Sequence, residues 1–378
     1  MKVCYVLSTS EITGGANRSI LDLLGALNRS KIEPIVLIKK HGDIEYELNR
    51  LKIPVYLVPF INEVSAGNPI LDGMKRINAI KTTGQVVRFL KKHKVELVHN
   101  NSLPTLAGME AAYKLGIPYV CHIREQIKSG LELQLLNEEK HFGIVRKSTG
   151  ILAISEFVCE EYEEFLKGFP VIVLHDGVDI SLYQNDEKTI FNGDLVNLAI
   201  YGNLDAQKGQ MDAVRAVEIL REKLNIPIKL YIIGNQKTEY ADKVKQYVNS
   251  RGISNIVFME PIRESESLKK SRDKMDINLV CSSAEGLGRV TIESMLSGCL
   301  TIGAKAGGTP EIIQDRVNGL MYECHNAEDL ARTIEWAVAN RNEAQRIARD
   351  GRVYAKENYN IVKYAMEIQN IYQALVRK

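Results

Sequence analysis

Residues 276–296 read DINLVCSSAEGLGRVTIESML. The opening run, DINLVC, is short and apolar, as in a buried strand. Past the glycines, Val290, Ile292, Met295 and Leu296 recur at helical spacing. The segment is therefore strand, glycine turn, helix, with one carboxylate before the turn, Glu285, and another, Glu293, eight residues on. On one continuous helix that spacing is roughly 800° of rotation and about 12 Å of rise, too far to share one ion or one proton. With Glu285 still in the turn, the pair brackets a helix N-terminus, where unpaired N–H groups and the positive dipole end favour an anion. Gly286 and Gly288 carry no Cβ, so the backbone can approach such an anion closely. An elongated ligand with phosphate at its centre and hydroxyl-bearing groups at both ends, such as a nucleotide sugar, fits this pattern. The alternative is that Glu285 only caps the helix and Glu293 is a solvated surface residue.

Outward from this stretch, the same unit repeats. KVCYVLS, EPIVLI, IPVYLVP, VELVHN, IPYVCHI, GILAIS and PVIVLHD are Val- and Ile-rich runs, most of them separated by helical patterns such as NRSILDLLGALN. After a polar stretch, residues 181–194, the series restarts with LVNLAIYG, IKLYIIG, NIVFME, DINLVC, LTIG and GLMY. This alternation predicts α/β architecture: two doubly wound, Rossmann-like domains, residues 1–177 and 178–359, facing a cleft. A closing helix, 360–378, with Ile361, Met366, Ile368, Ile371 and Leu375, is expected to pack back on the first domain. The totals agree: 378 residues, 45% hydrophobic and 25% charged, make an ordinary globular protein of two domains.

A formal net charge of +2 gives no argument for nucleic acid. Six cysteines, at 4, 121, 159, 281, 299 and 324, form no C-x-x-C pair and no metal-ligand spacing, which favours a reducing cytoplasm. MKVCYVLSTS turns polar too quickly for a signal peptide, and no apolar run reaches a membrane-spanning length. No dinucleotide G-x-G-x-x-G follows a strand, no P-loop occurs, and no Asp-x-Asp offers a metal-held diphosphate site.

Other strand ends carry chemistry. YGNLDAQKGQ puts Lys208 just before a helix expected from about Gln210, where its charge would add to an anion site. LYIIGNQ supplies Gly234. SEITGGANRSIL gives a strand-to-helix turn at Gly14–Gly15. AGGTPEII has Thr309 as a candidate N-cap with Pro310 at N1 and Glu311 in the first turn. His99 and Asn100 end one strand of the first half, and His122 ends another beside Arg124. Two histidines at one sheet edge are candidate ligand contacts.

Together these stretches resemble the retaining nucleotide-sugar glycosyltransferases of the GT-B fold, family 4. The marks are GGANRSILDLL, HDGVD, GNLDAQKGQ, the E-x7-E pair Glu285/Glu293 and GGTPEII, in family-like order along nearly the whole chain. The resemblance implies that Glu285 binds hydroxyls of the transferred sugar and Glu293 those of the ribose. Gly286, Leu287 and Gly288 would offer backbone to the diphosphate, and Lys208 would neutralise it. Gly15 would lie near the diphosphate and His122 near the transferred sugar, with His99, Asn100 and Arg124 on the acceptor side. Gly234 would belong to the donor-binding set. The family commonly has arginine in Gly-Arg-Leu where this chain has Asn203, and Arg289 is a candidate stand-in for the missing charge.

The implied activity is metal-independent transfer of a sugar from a nucleoside-diphosphate sugar, a UDP-sugar favoured, to a glycan or lipid-linked hydroxyl. No other cofactor, no metal and no nucleic acid partner are expected. A nucleotide-sugar 2-epimerase and a silent donor-binding subunit are the alternatives. Residues 72–94, DGMKRINAIKTTGQVVRFLKKHK, hold seven Lys/Arg against one acid. They suggest an anionic membrane surface as a further partner at the inner face of the membrane. Ile77, Ile80, Val87 and Leu90 are expected to face the sheet.

Overall fold

The Val/Ile-rich runs become parallel strands, the inner ones covered by helices on both faces and the edge ones partly open, with Leu57 and Ile172 47% and 41% exposed. The computed structural model describes residues 1–12, 15–221, 223, 227–261 and 265–376. It divides into two compact units, Met1–Gly177 with Ile361–Lys378, and Val178–Asn360.

The first unit holds β1 (Lys2–Val6), β2 (Glu33–Ile38), β3 (Val55–Leu57), β4 (Leu97–Asn100), β5 (Tyr119–Ile123), β6 (Gly150–Ala153) and β7 (Val171–Val173). Their spatial order is β3-β2-β1-β4-β5-β6-β7, all parallel. The order reverses between β1 and β4. Val3, Tyr5, Ile20, Leu23, Val36 and Leu97 are buried in one core with Ile361, Tyr364, Ile368 and Tyr372, so the closing helix Ile361–Val376 covers one face of this sheet. Met366, expected on its inner side, is 56% exposed.

The second unit repeats the plan with β8 (Val196–Tyr201), β9 (Ile228–Ile233), β10 (Val257–Glu260), β11 (Ile277–Val280), β12 (Leu300–Ala304) and β13 (Leu320–Tyr322). The order is β10-β9-β8-β11-β12-β13, again all parallel. Here the reversal falls between β8 and β11. Ligands of such sheets bind beyond the carboxyl ends of the strands at that crevice.

One helix departs from expectation. Pro69–Lys92 is a single helix whose buried side is Ala79, Thr83, Val86, Phe89 and Leu90. Ile77 and Ile80 do not face the sheet; they are 71% and 69% exposed. The reason is angular: Ala79 lies about 200° around the helix from Ile77, on the side that also carries Thr83, Val86, Phe89 and Leu90. Among the described residues no helix is long and apolar enough to cross a membrane.

Candidate functional site

At the reversal of the second sheet, three loops are built against one another. From β8 the chain runs through a short 3-10 turn, Ala206–Lys208, whose first N–H groups are tied by Asp205: the Gln207 amide donates to its carboxylate at 2.9 Å. Lys208 closes that turn, and the helix Gln210–Arg221 follows. From β11 the chain enters Cys281–Gly288, and this loop is stitched to the first. The Ser283 amide and the Ser282 hydroxyl both donate to the Gln207 carbonyl, at 2.9 and 3.0 Å.

From β12 comes the Gly307–Gly308 pair. The Gly308 amide donates to the Glu285 carbonyl at 2.8 Å. A Cβ on Gly307 would stand 2.7 Å from the Glu285 nitrogen, and one on Gly308 would stand 2.5 Å from the Gly286 oxygen. The two glycines are therefore a bearing for the Glu285 turn, and any side chain there would push it out. The helix after them starts one residue earlier than expected. Gly308 occupies the cap position, and Thr309 makes no side-chain cap bond.

The loops bring Lys208 Nζ to 2.5 Å from Glu285 Oε1, both side chains partly open to solvent. The helix Arg289–Leu296 begins directly after Gly288, with no side-chain cap. Leu287 is buried and Gly286 half-buried, so the turn's backbone is set by packing.

Glu293 is not a solvated surface residue. Its side chain is 6% exposed, and Oε2 accepts a 2.7 Å hydrogen bond from Arg272 Nη2. Arg289 Nε stands 3.6 Å from Oε1, so the candidate stand-in cation leans toward the second carboxylate. Asn203 is exposed at the rim, its carbonyl accepting from Gln210 Nε2 at 2.9 Å. At Gly234 a Cβ would lie 1.7 Å from the Gly202 carbonyl oxygen, so the junction of β8 and β9 itself demands glycine there.

The first unit gathers its candidates below the surface. His99, Asn100 and His122 are fully buried and Arg124 is 5% exposed. Arg124 Nη1 bonds both carboxylate oxygens of Asp176, at 2.8 and 2.7 Å, and its Nε donates to Asn101 Oδ1 at 2.7 Å. Asn100 spends its amide on the Ser102 and Thr105 carbonyls, at 2.7 and 3.0 Å. Both side chains are thus engaged in hydrogen bonds within the first unit.

The histidines form a line. The Tyr372 hydroxyl lies 2.7 Å from His99 Nδ1, and His99 Nε2 lies 3.3 Å from His122 Nδ1. Burial, with the Arg124 charge next, holds His99 down to about 3 and His122 well below the usual imidazole range. Both rings are neutral at physiological pH. Arg124 Nη2, which only donates, lies 3.4 Å from His122 Nδ1, so the His122 proton belongs on Nε2, an atom with no partner among the described residues. His122 can thus offer a hydrogen bond but not a proton. Gly15 opens the exposed start of the helix Gly15–Ala26, while Gly14 lies outside the described residues.

Sequence reading missed Arg272, Asp176 and Tyr372. Arg272 and Asp176 sit in polar runs, SLKKSRDK and HDGVD, that give no sign of burial.

Both halves of the chain are similar to known proteins. Residues 13–182 match Glycosyltransferase Family 4, and residues 184–354 match Glycosyl transferases group 1. An uncharacterized glycosyltransferase of Methanocaldococcus jannaschii is 23% identical over 90% of this chain and 92% of its own. A Campylobacter jejuni α-1,4-N-acetyl-D-galactosaminyltransferase, named for an undecaprenol diphosphate-linked glycan acceptor, is 23% identical over 94% of both chains. Among solved structures, Anabaena HepE in complex with UDP superposes with TM-score 0.82 at 19% identity, over 99% of this chain and 100% of that one. A Rickettsia africae glycosyltransferase superposes with TM-score 0.83 at 18% identity, over 100% and 99%. With two doubly wound sheets and both halves matched in order, the chain belongs to the GT-B, family 4-type glycosyltransferases.

Proposed function

We propose that this glycosyltransferase moves a sugar from a nucleoside-diphosphate sugar to a hydroxyl of a glycan or lipid-linked acceptor, with retention of configuration and no divalent-metal requirement. The observation that carries the reading is the meeting of Lys208 and Glu285 at the β8/β11 crevice, with Glu293 one helix turn beyond the glycines. In this reading the diphosphate lies over the Gly286–Gly288 backbone. Lys208 divides its charge between Glu285 and the departing phosphate, where negative charge grows in the transition state. The carboxylate of Glu285 accepts hydroxyls of the transferred sugar, and that of Glu293 accepts the ribose hydroxyls. The likeness to Anabaena HepE, solved with UDP and with UDP-glucose, favours a uridine donor.

The test is turnover of a donor panel with and without EDTA, scoring free nucleoside diphosphate and the anomeric configuration of the product. Transfer with retention that survives EDTA is expected. Transfer that vanishes with EDTA and returns with Mg²⁺ or Mn²⁺ would sink the metal-free reading, and inversion would sink the retaining one.

A lipid-linked acceptor is favoured by the helix Pro69–Lys92. Ile70, Met74 and Ile77 follow at four- and three-residue steps along one face and are 76%, 57% and 71% exposed. The same face continues through Lys81, Arg88 and Lys92, all exposed. An apolar stripe that runs into a basic one suits an anionic bilayer: the first half enters the headgroup boundary and the second meets its charge. The chain should co-sediment with phosphatidylglycerol vesicles at low salt and less at high salt. Met74→Ser with Ile77→Ser should release it. Equal recovery in the supernatant with neutral and anionic vesicles would indicate a soluble acceptor.

A further inference from the structure

The second unit buries a cation that the donor reading leaves without a task. Arg272, near the end of the helix Ser265–Asp273, is 2% exposed. Its guanidinium carbon lies 4.4 Å from the ring centre of Tyr201, at the end of β8, and 5.4 Å from that of Tyr183. Its backbone is fixed as well. Lys188 Nζ donates to the Arg272 carbonyl at 2.5 Å, a lysine at a helix C-terminus where the dipole favours positive charge, and Asn185 Nδ2 donates to Asp273 at 2.9 Å. Of the guanidinium's nitrogens, Nη2 binds Glu293, whereas Nε and Nη1 are buried with no hydrogen-bond partner among the described residues. Leaving two nitrogens of a buried cation unpaired is costly, and aromatic faces offset that only in part. The same volume filled by an apolar side chain would serve stability better. What the arginine adds is control of one carboxylate.

We propose that Arg272 is a positioning residue for the donor: it fixes the Glu293 carboxylate by Oε2, so that Oε1 is presented, ionised and in one orientation, to the ribose hydroxyls. This rests on the donor reading above. Oε1 fits the task because its distance to Arg289 Nε, 3.6 Å, is beyond ordinary hydrogen-bond length. Without Arg272 the carboxylate can rotate toward Arg289 and be consumed there.

The experiment uses the full chain and calorimetry with the tightest binder among UDP, ADP and GDP, paired with its 2′,3′-dideoxy counterpart. The wild type should prefer the hydroxylated ligand by about ten- to a hundredfold, as hydrogen bonds to a charged acceptor do. Glu293→Ala should abolish that preference. Arg272→Met should reduce it to within a few-fold while leaving affinity for the dideoxy ligand nearly unchanged. Arg272→Lys should restore most of it. Should the Met variant fail to fold, Arg272→Gln, which keeps a donor but not the charge, takes its place and should lose the larger part of the preference. A merely structural arginine would weaken both ligands alike, so a folded Met or Gln variant with the wild-type ratio overturns the proposal. A wild type that binds no nucleoside diphosphate, or one whose preference survives Glu293→Ala, overturns the donor reading itself.

Discussion

Lys208→Ala should lower turnover by about a hundred- to a thousandfold, the usual loss when a preorganised electrostatic stabiliser of a leaving group is removed. The apparent KM for donor should rise far less, because the charge on the diphosphate grows as the glycosidic bond breaks. The geometry sharpens the expectation. Lys208 faces Glu285 at 2.5 Å, so in the proposed reading the alanine variant removes a cation and leaves a carboxylate unneutralised where the phosphate would lie. Initial rates against donor concentration check it. A large rise in KM at unchanged kcat would mean that Lys208 binds the ground state and transition state equally. Lys208→Arg should recover part of the rate, since the stitched Gln207 carbonyl keeps the turn in place.

Asp176→Ala should cost about 3–5 kcal/mol of stability, the range for breaking a buried ion pair by removing one partner. The side chains of Arg124 and Asp176 are 1% and 5% exposed and share two hydrogen bonds, so the variant strands a guanidinium that cannot shed its proton. With a urea m-value of about 1–3 kcal/mol per molar, the unfolding midpoint should fall by one molar or more. Hydrogen exchange should place the loss at β5 and its neighbours. Arg124→Met combined with Asp176→Leu should regain much of it, since an apolar pair of similar volume avoids the desolvation cost. An Asp176→Ala chain with the wild-type midpoint would show that water reaches Arg124.

The architecture was legible because parallel strands buried on both faces must be continuous apolar runs, and such runs recur along the described residues, most of them between helical patterns. The order of strands was not, since it depends on pairings such as β1 with β4 that join residues far apart in sequence. The placement of Glu285 and Glu293 on either side of a glycine turn was legible from their spacing. Arg272 was not: SLKKSRDK reads as a solvated charged face, and the rings that bury Arg272 arrive from β8 and from the segment before it. The helix Pro69–Lys92 misled for a related reason. Leu90 lies on the inner side as expected, but in the first half of the helix the inner Ala79 and Thr83 are less apolar than the outer Ile77 and Ile80, so hydrophobicity marked the wrong residues there.

The return of the closing helix to the first unit has a consequence for biosynthesis. Tyr5, Ile20 and Leu23 are made before the second unit, whereas Tyr364, Ile368 and Tyr372, which share their core, are made after it. At about 5–20 residues per second, the second unit occupies roughly ten to forty seconds of translation between the two. Through that interval the first sheet waits with one apolar face open, whereas the second unit is contiguous and can close as it emerges. The nascent chain's exposure to chaperones and to aggregation is thereby concentrated in the first unit, and a ribosome that stops short of residue 361 delivers a finished second unit attached to an unfinished first.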